Sequence, residues 1–346
     1  MAAKRILLIK LSSIGDIVMA TPAAKAVRTA FSDAYITWAV DSRFSELLSG
    51  NPYVDEVITW HRGKGLGRGM AEFTRLARAV RSRRFDTVVD LQGNGRSALL
   101  TLCSGATRRI GYAQTREFAQ LAYSERVACA EFPHGMSCHA GLLHALSPDA
   151  RFERGEMFVP ISDEDRRFAE DILLSEVGDS IPVAALFPAT TRLNKHWPAE
   201  RWAALAQILC ERLGITPLLL GSPGDAALGR TISSSVSGGM VSVVGRTTLP
   251  QAAALIERSA LAIGVDTGLL HMAVALNRPT VGIYGPTDAW RNHEHATGFR
   301  AVYESMECAP CRRRPTCRDF DCMNAISPEK VFDAVQEVFC EEKVTA

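Results

Sequence analysis

The sequence predicts an α/β protein made of two consecutive parallel-sheet domains, and three observations carry that expectation. Short runs rich in Val, Ile and Leu alternate with stretches of helical apolar periodicity, which is how βαβ units read. At 346 residues the chain is too long for one ordinary open sheet and long enough for two cores. The strand runs fall into two series, separated by a charged stretch at residues 162–179.

In order, the first series has strands at residues 6–9, 35–40, 54–59, 86–90 and 107–110, with helical patterns between most of them. The second has strands at residues 183–187, 216–220, 241–244, 261–265 and 280–284. The charged stretch supplies a connecting helix and linker. Pro328 takes the first position of a last helix running to about Cys340, where a missing N–H costs nothing. The expected division is a first domain at 1–165, a second at 166–325 with a cysteine-rich segment at 308–322, and a terminal helix at 326–346 packing back toward the first domain. Two Rossmann-like sheets facing each other would gather both sets of strand ends around one cleft, the place where such sheets bind ligands.

Hydrophobic residues make up 47% and charged residues 22%, so a soluble globular protein is expected. No apolar run approaches the roughly 18 residues of a membrane span. The first apolar stretch, at 6–9, is closed by Lys10 and lacks a small-residue cleavage site, so it reads as a strand and not a signal peptide. A cytoplasmic protein follows, in which nine cysteines argue against a general disulfide framework.

The charge is uneven. Residues 1–150 hold 19 Lys and Arg against 13 Asp and Glu, a balance of +6, and the remainder hold 20 against 25, a balance of −5. The first half therefore suits an anionic partner. Most of the excess lies between Arg62 and Arg84, where eight basic residues face one acid, Glu72. Met70, Phe73, Leu76, Ala77 and Val80 recur there at helical spacing, so the segment reads as an amphipathic helix packed on the sheet. Its arginines are solvated, and that face can lean toward anionic lipid.

Three strand-end motifs carry candidate chemistry. Lys10-Leu11-Ser12-Ser13-Ile14-Gly15-Asp16 follows the first strand and opens an apolar helix. Asp16 either caps that helix or accepts a proton from a substrate hydroxyl. Thr190-Thr191-Arg192-Leu193-Asn194-Lys195-His196-Trp197-Pro198 follows the strand at 183–187. Two hydroxyls and a lysine suit diphosphate oxygens, with Trp197 packed beneath the loop and Pro198 in the first turn of the next helix. Asp266-Thr267-Gly268-Leu269-Leu270-His271 follows the strand at 261–265. Its helix start exposes N–H groups to an anion, and His271, four residues after Thr267, shares their face. The dinucleotide G-x-G-x-x-G is missing after the first strand, and no P-loop, G-x-S-x-G elbow or H-E-x-x-H pair occurs.

In this order the motifs resemble glycosyltransferase family 9, the lipopolysaccharide heptosyltransferases, nearest the type that adds the first heptose. Asp90-Leu91-Gln92-Gly93, Thr115-Arg116-Glu117 and Tyr284-Gly285-Pro286-Thr287 join the resemblance, which covers nearly the whole chain. It implies the GT-B architecture and inverting transfer of heptose from ADP-heptose to the Kdo/heptose inner core of lipopolysaccharide. Asp16 would be the general base. Thr190, Thr191 and Gly268 would hold the diphosphate, with Thr267 also on the donor, Lys195 and Asp266 would orient the sugar and ease leaving-group departure, and His271 would support the phosphate. Asp225 would reach the ribose and Thr247 the adenine, while Ser13, Arg62, Lys64 and Arg116 would meet the acidic acceptor. The implied partners are an ADP-sugar and a lipid A-Kdo acceptor at the inner leaflet, with no nucleic acid, for a monomer peripherally associated with the inner membrane.

No cofactor is needed for catalysis if Lys195 and a helix N-terminus take the departing charge. Cys308, Cys311, Cys317 and Cys322 lie within fifteen residues. They read either as a structural tetrathiolate zinc site or as free or paired thiols in a loop. Two rivals to the transferase stay open: a GT-B sugar-nucleotide epimerase or hydrolase, which would consume nucleotide sugar without acceptor, and a non-catalytic binding module. A family transferase with another donor sugar is the nearer alternative.

Overall fold

The computed structural model describes residues 4–63, 65–129, 135–178, 181–237, 239–288, 293, 296–311 and 317–345. The chain divides into two units, Met1–Pro160 and Ile161–Ala346. The boundary falls five residues before the expected one, because the connecting helix belongs wholly to the second unit, as shown below.

The first unit begins with β1 (Arg5–Ile9), α1 (Ile14–Val18), α2 (Pro22–Ala30), β2 (Tyr35–Asp41), β3 (Glu56–Trp60) and α3 (Leu66–Ser82). It continues with β4 (Thr87–Asp90), α4 (Gly95–Ser104), β5 (Arg108–Tyr112), β6 (Glu125–Val127) and α5 (Met136–Leu146). Its strands form one parallel sheet in the order β3-β2-β1-β4-β5-β6. The order reverses between β1 and β4, and in open sheets that reversal opens a crevice at the strands' carboxyl ends. The loop that leads into α1 and Asp16 leaves β1 at this point.

The second unit runs α6 (Asp163–Glu176), β7 (Val183–Phe187), α7 (Ala199–Leu213), β8 (Thr216–Leu219), α8 (Ala226–Ser233), β9 (Val241–Ser242) and α9 (Leu249–Arg258). It ends with β10 (Leu261–Val265), α10 (Gly268–Ala275), β11 (Thr280–Ile283), β12 (Phe299–Val302), α11 (Asp321–Asn324) and α12 (Pro328–Thr345). The parallel order β12-β11-β10-β7-β8-β9 repeats the first sheet's topology, with the reversal between β7 and β10. The two other sequence motifs leave those two strands.

The expected strands are present, and β7 and β10 have the expected limits. Both are buried along their whole length, so each reads as an unbroken apolar run. The sequence reading misses β6 and β12, which form an edge of each sheet. Glu125-Arg126-Val127 offers three residues with none fully buried, too short and polar to show a pattern.

α6 packs on α9, with Arg166 Nε 2.9 Å from Glu257 Oε2, which draws the connecting helix into the second unit. Val331, Phe332, Val335 and Val338 of the terminal helix are buried in the second unit's core with Trp197, Ile263 and Val281. The helix packs on α7, β11 and β12 and runs to Thr345. Its apolar stripe fills the face of its own sheet, which would otherwise be left wet. Pro328 is at its first position, as expected. Pro198 instead precedes α7 as its N-cap.

In α3, Leu76 and Val80 are buried while Arg68, Arg75, Arg78 and Arg81 are exposed, so the amphipathic reading holds. Cys129 and Cys138 form a disulfide that closes a short local loop.

Candidate active site

At the reversal of the second sheet, the loops after β7 and β10 converge on one carboxylate. Lys195 Nζ lies 2.5 Å from Asp266 Oδ2, and His271 Nε2 lies 3.4 Å from Asp266 Oδ1. The Thr287 hydroxyl donates to Asp266 Oδ2 at 2.8 Å. Thr190 Oγ1 sits 3.5 Å from the Asp266 carbonyl oxygen, which accepts from it. These side chains are nearly enclosed: 13% exposed for Lys195, 15% for Asp266 and 8% for His271. Five residues from the segments that follow three strands thus form a compact polar centre.

Each loop is held from behind. His196 Nε2 donates to the Thr190 carbonyl at 2.8 Å, and Trp197, fully buried, donates its indole N–H to the Ile326 carbonyl at 3.0 Å. Trp197 meets Trp202 edge to face at 5.1 Å, so the loop's anchor is part of the core. The loop after β11 passes so close to α11 that a Cβ on Gly285 would lie 2.6 Å from Met323 Sδ and 2.8 Å from Cys322 Sγ. Only glycine fits there.

His293, which the sequence reading does not single out, completes the centre. It is 2% exposed, and its Nε2 lies 2.6 Å from His271 Nδ1. This contact fixes the orientation of the His271 ring, whose Nε2 faces Asp266.

Burial alone would raise the Asp266 carboxyl. The His271 hydrogen bond and the charges of Lys195 and His271 outweigh it and hold the group well below the usual Asp value of 3.8. Because the folded pKa is depressed, this carboxylate stabilises the fold above the unfolded value, and the contribution fades as pH falls toward the folded one. Denaturant unfolding of the wild type and Asp266→Asn should therefore show a constant stability difference above about pH 5 that shrinks below about pH 4. A difference independent of acid pH would contradict this electrostatic account.

The remaining donor candidates occupy neighbouring strand ends. Thr267 is the N-cap of α10 and Gly268 its first residue, while Thr191 is exposed in the loop after β7. Asp225 follows β8, and its Oδ2 accepts from Ser222 N at 2.8 Å and Ser222 Oγ at 2.6 Å. Thr247 is half-buried after β9, in a turn whose Gly245 N–H donates to the Gly221 carbonyl at 2.9 Å. These two turns meet each other, and Asp225 and Thr247 are not hydrogen-bonded to the Asp266 cluster in any contact described.

In the first unit the Asp16 loop is clamped to the loop after β4. Lys10, 5% exposed, donates Nζ to the Leu91 carbonyl at 3.0 Å, and Gln92 Oε1 accepts from Leu11 N at 3.0 Å and Ser12 N at 3.1 Å. The Asp90 carboxylate accepts from Gln92 N, Gly93 N and the Tyr123 hydroxyl. Burial raises the Asp90 carboxyl despite these donors. Asp16 Oδ2 accepts from Ser13 N at 3.1 Å and Ser13 Oγ at 2.7 Å, so it does cap α1. It also lies close enough to the buried Tyr112 that, after burial itself, Asp90 and Asp16 push the Tyr112 phenol well above 10.0. Tyr112 Oη is 2.7 Å from His139 Nδ1.

Arg62 is more engaged than the sequence suggests. Its Nε is 2.5 Å from Asp41 Oδ2, a carboxylate with no exposed side-chain surface that also binds Arg43. Its guanidinium lies 4.8 Å from the Trp60 ring centre, and that of Arg96 lies at 5.7 Å. Arg43, Arg96 and Asp41 are absent from the sequence expectation because nothing in their local spacing marks them. Arg116 is half-buried in the loop after β5, and Lys64 lies outside the described residues.

The zinc expectation loses its support. Among the described residues no group of three or more His, Cys, Asp or Glu side chains is disposed to hold a metal ion. Cys308 is exposed, Cys311 and Cys317 are half-buried, and Cys322 is buried behind Gly285, all as free thiols. Burial first, and then coulombic coupling to Cys317, Cys311 and Cys308, pushes the Cys322 thiol up.

Two consecutive Rossmann-like units, each with polar groups at its strand-order reversal, have the architecture of the GT-B class. Comparison with known proteins narrows this. The family model for glycosyltransferase family 9 (heptosyltransferase) matches residues 73–319, so the chain belongs to that family and is a glycosyltransferase. A lipopolysaccharide heptosyltransferase 1 of Salmonella typhimurium is 30% identical over 292 residues, covering 82% of this chain and 89% of that one. A solved glycosyl transferase family 9 structure from Veillonella parvula has a TM-score of 0.83 at 23% identity, covering 98% of both chains. E. coli heptosyltransferase WaaC with ADP-2-deoxy-2-fluoro heptose has a TM-score of 0.68 at 25% identity, covering 96% of this chain and 99% of that one.

Proposed function

We propose that this chain transfers heptose from ADP-heptose to the Kdo/heptose inner core of lipopolysaccharide with inversion, acting as a single chain at the inner membrane surface. The observation that carries the reading is the enclosed Lys195-Asp266-His271-Thr287 centre at the second sheet's reversal, in a family whose relatives include a lipopolysaccharide heptosyltransferase. A solved family structure with an ADP-heptose analogue supports the choice of donor.

In this reading Thr190, Thr191, Thr267 and Gly268 grip the diphosphate, Asp225 takes the ribose and Thr247 lies beside the adenine. Asp266 and Lys195 orient the sugar, and His271 supports the phosphate. Asp16 removes the acceptor hydroxyl proton as the oxygen attacks the anomeric carbon, the C–O bond to phosphate breaks, and ADP departs with the electron pair. Lys195 and the N–H groups at the start of α10 receive its charge, so the chain's own cations do the neutralising. Ser13, Arg62, Lys64 and Arg116 meet the carboxylates of the acceptor.

Incubation with ADP-heptose and a Kdo-lipid A acceptor should add one heptose to the acceptor mass, with ADP release dependent on acceptor. Equal ADP release without acceptor would instead indicate a hydrolase or epimerase. Product from a UDP- or GDP-sugar alone would overturn the donor assignment.

A further inference from the structure

One surface of the first unit is apolar where a soluble domain has reason to be polar. α4 and the turn at Ala119–Ala122 pack together through Ala98, Ala119, Ala122 and Tyr123. Their outward faces carry Leu99 and Leu102, 49% and 51% exposed, and Phe118 and Leu121, 76% and 69% exposed. Single exposed leucines need no explanation, whereas four large apolar side chains on two packed elements do.

The backbone holds them outward. Glu117 and Phe118 have φ of 56° and 57°, two consecutive non-glycine residues in the left-handed region, a conformation that L-residues adopt at a cost. Glu117 is tied inward, its Oε2 accepting from Gly95 N at 2.9 Å at the start of α4, which leaves Phe118 at the apex. Its negative charge is thereby committed to a helix N-terminus.

The surroundings are cationic. Arg81 reaches the other end of α4, where a Cβ on Gly105 would lie 1.2 Å from its Nη1, and Arg78 is exposed one turn back on α3. α3 packs beside α4, and its sole acid, Glu72, is paired with Arg75. Apolar side chains bordered by guanidinium groups match a bilayer boundary, where apolar groups enter the acyl region and arginines stay at anionic headgroups. We infer that the α4 and 118–121 surface docks this protein onto an anionic phospholipid bilayer, with Leu99, Leu102, Phe118 and Leu121 inserted and Arg78 and Arg81 at headgroup level. This deepens the reading of a lipid-linked acceptor and rests on it for the choice of a membrane over a protein partner.

Full-length protein would be co-sedimented with phosphatidylglycerol-rich and with pure phosphatidylcholine vesicles. Wild type should bind the anionic vesicles, and Phe118→Ser/Leu121→Ser should lower the partition coefficient by at least about 10-fold on them. The thermal transition should not move, since both side chains are already exposed. Arg78→Gln/Arg81→Gln should weaken binding to anionic vesicles by about 10-fold or more, with no effect on phosphatidylcholine. Wild type failing to bind, or the serine variant binding equally well, would overturn the surface. So would a wild-type dimer that the serine variant dissolves, because a second copy would then be the occupant. ADP release with a lipid-free Kdo acceptor separates the two readings: serine variants should retain it, and its absence in wild type would count against the transferase while leaving vesicle binding intact.

Discussion

Asp16→Asn is expected to lower kcat by about 10²–10⁴-fold while leaving ADP affinity unchanged, the signature of a lost general base. The substitution separates the two duties of this side chain. Asp16 Oδ2 accepts from Ser13 N and Ser13 Oγ, and an asparagine oxygen can keep accepting there, so α1 should stay capped at a cost below about 1 kcal/mol. An amide cannot take a proton from the acceptor hydroxyl. Donor affinity should not change, because the proposed donor groups all lie in the second unit. A variant with kcat within about threefold of wild type would remove Asp16 from the base role, since base catalysis contributes far more than that.

Lys195→Ala is expected to weaken ADP-sugar binding by about 10–100-fold, the range of a charge-assisted contact, and to lower kcat as well. The Lys195 side chain is 13% exposed and its Nζ lies 2.5 Å from Asp266, so its removal also leaves that carboxylate with only His271 and Thr287 as described partners. Some loss of stability should accompany the loss of affinity. Calorimetry resolves the two, because donor binding is measured on protein already shown by its thermal transition to be folded. An unchanged donor dissociation constant would mean that Lys195 serves only to neutralise Asp266.

The site was partly legible before the fold was seen, and the limits have physical causes. The three motifs were readable because each follows an apolar strand and precedes a helix, so local pattern placed it at a strand's carboxyl end. Thr190, Lys195, Asp266 and His271 do converge, as the motifs imply. His293 was not legible as a partner of His271, because a contact across 22 residues leaves no local periodicity. Neither were the clustering of Arg62 with Asp41 and Arg43, nor the clamp from Lys10 and Gln92 on the loop before Asp16. The terminal helix was legible as a helix, whereas its burial against the second unit's core was not, since an amphipathic stripe says that a helix must be covered without saying by what.

Local order along the chain determined the two βαβ series, the strands buried on both faces, the proline start of the last helix and the strand-end positions of the candidate groups. These depend on propensity and periodicity, which act over a few residues. Tertiary structure alone decided the order of strands, the edge pairings of β6 and β12, the ion-pair partners of Lys195 and Arg62, and the outward-held apolar surface beside α4. Each of those depends on which distant segments exclude water together, and a sequence pattern specifies a face to be buried long before it specifies the neighbour.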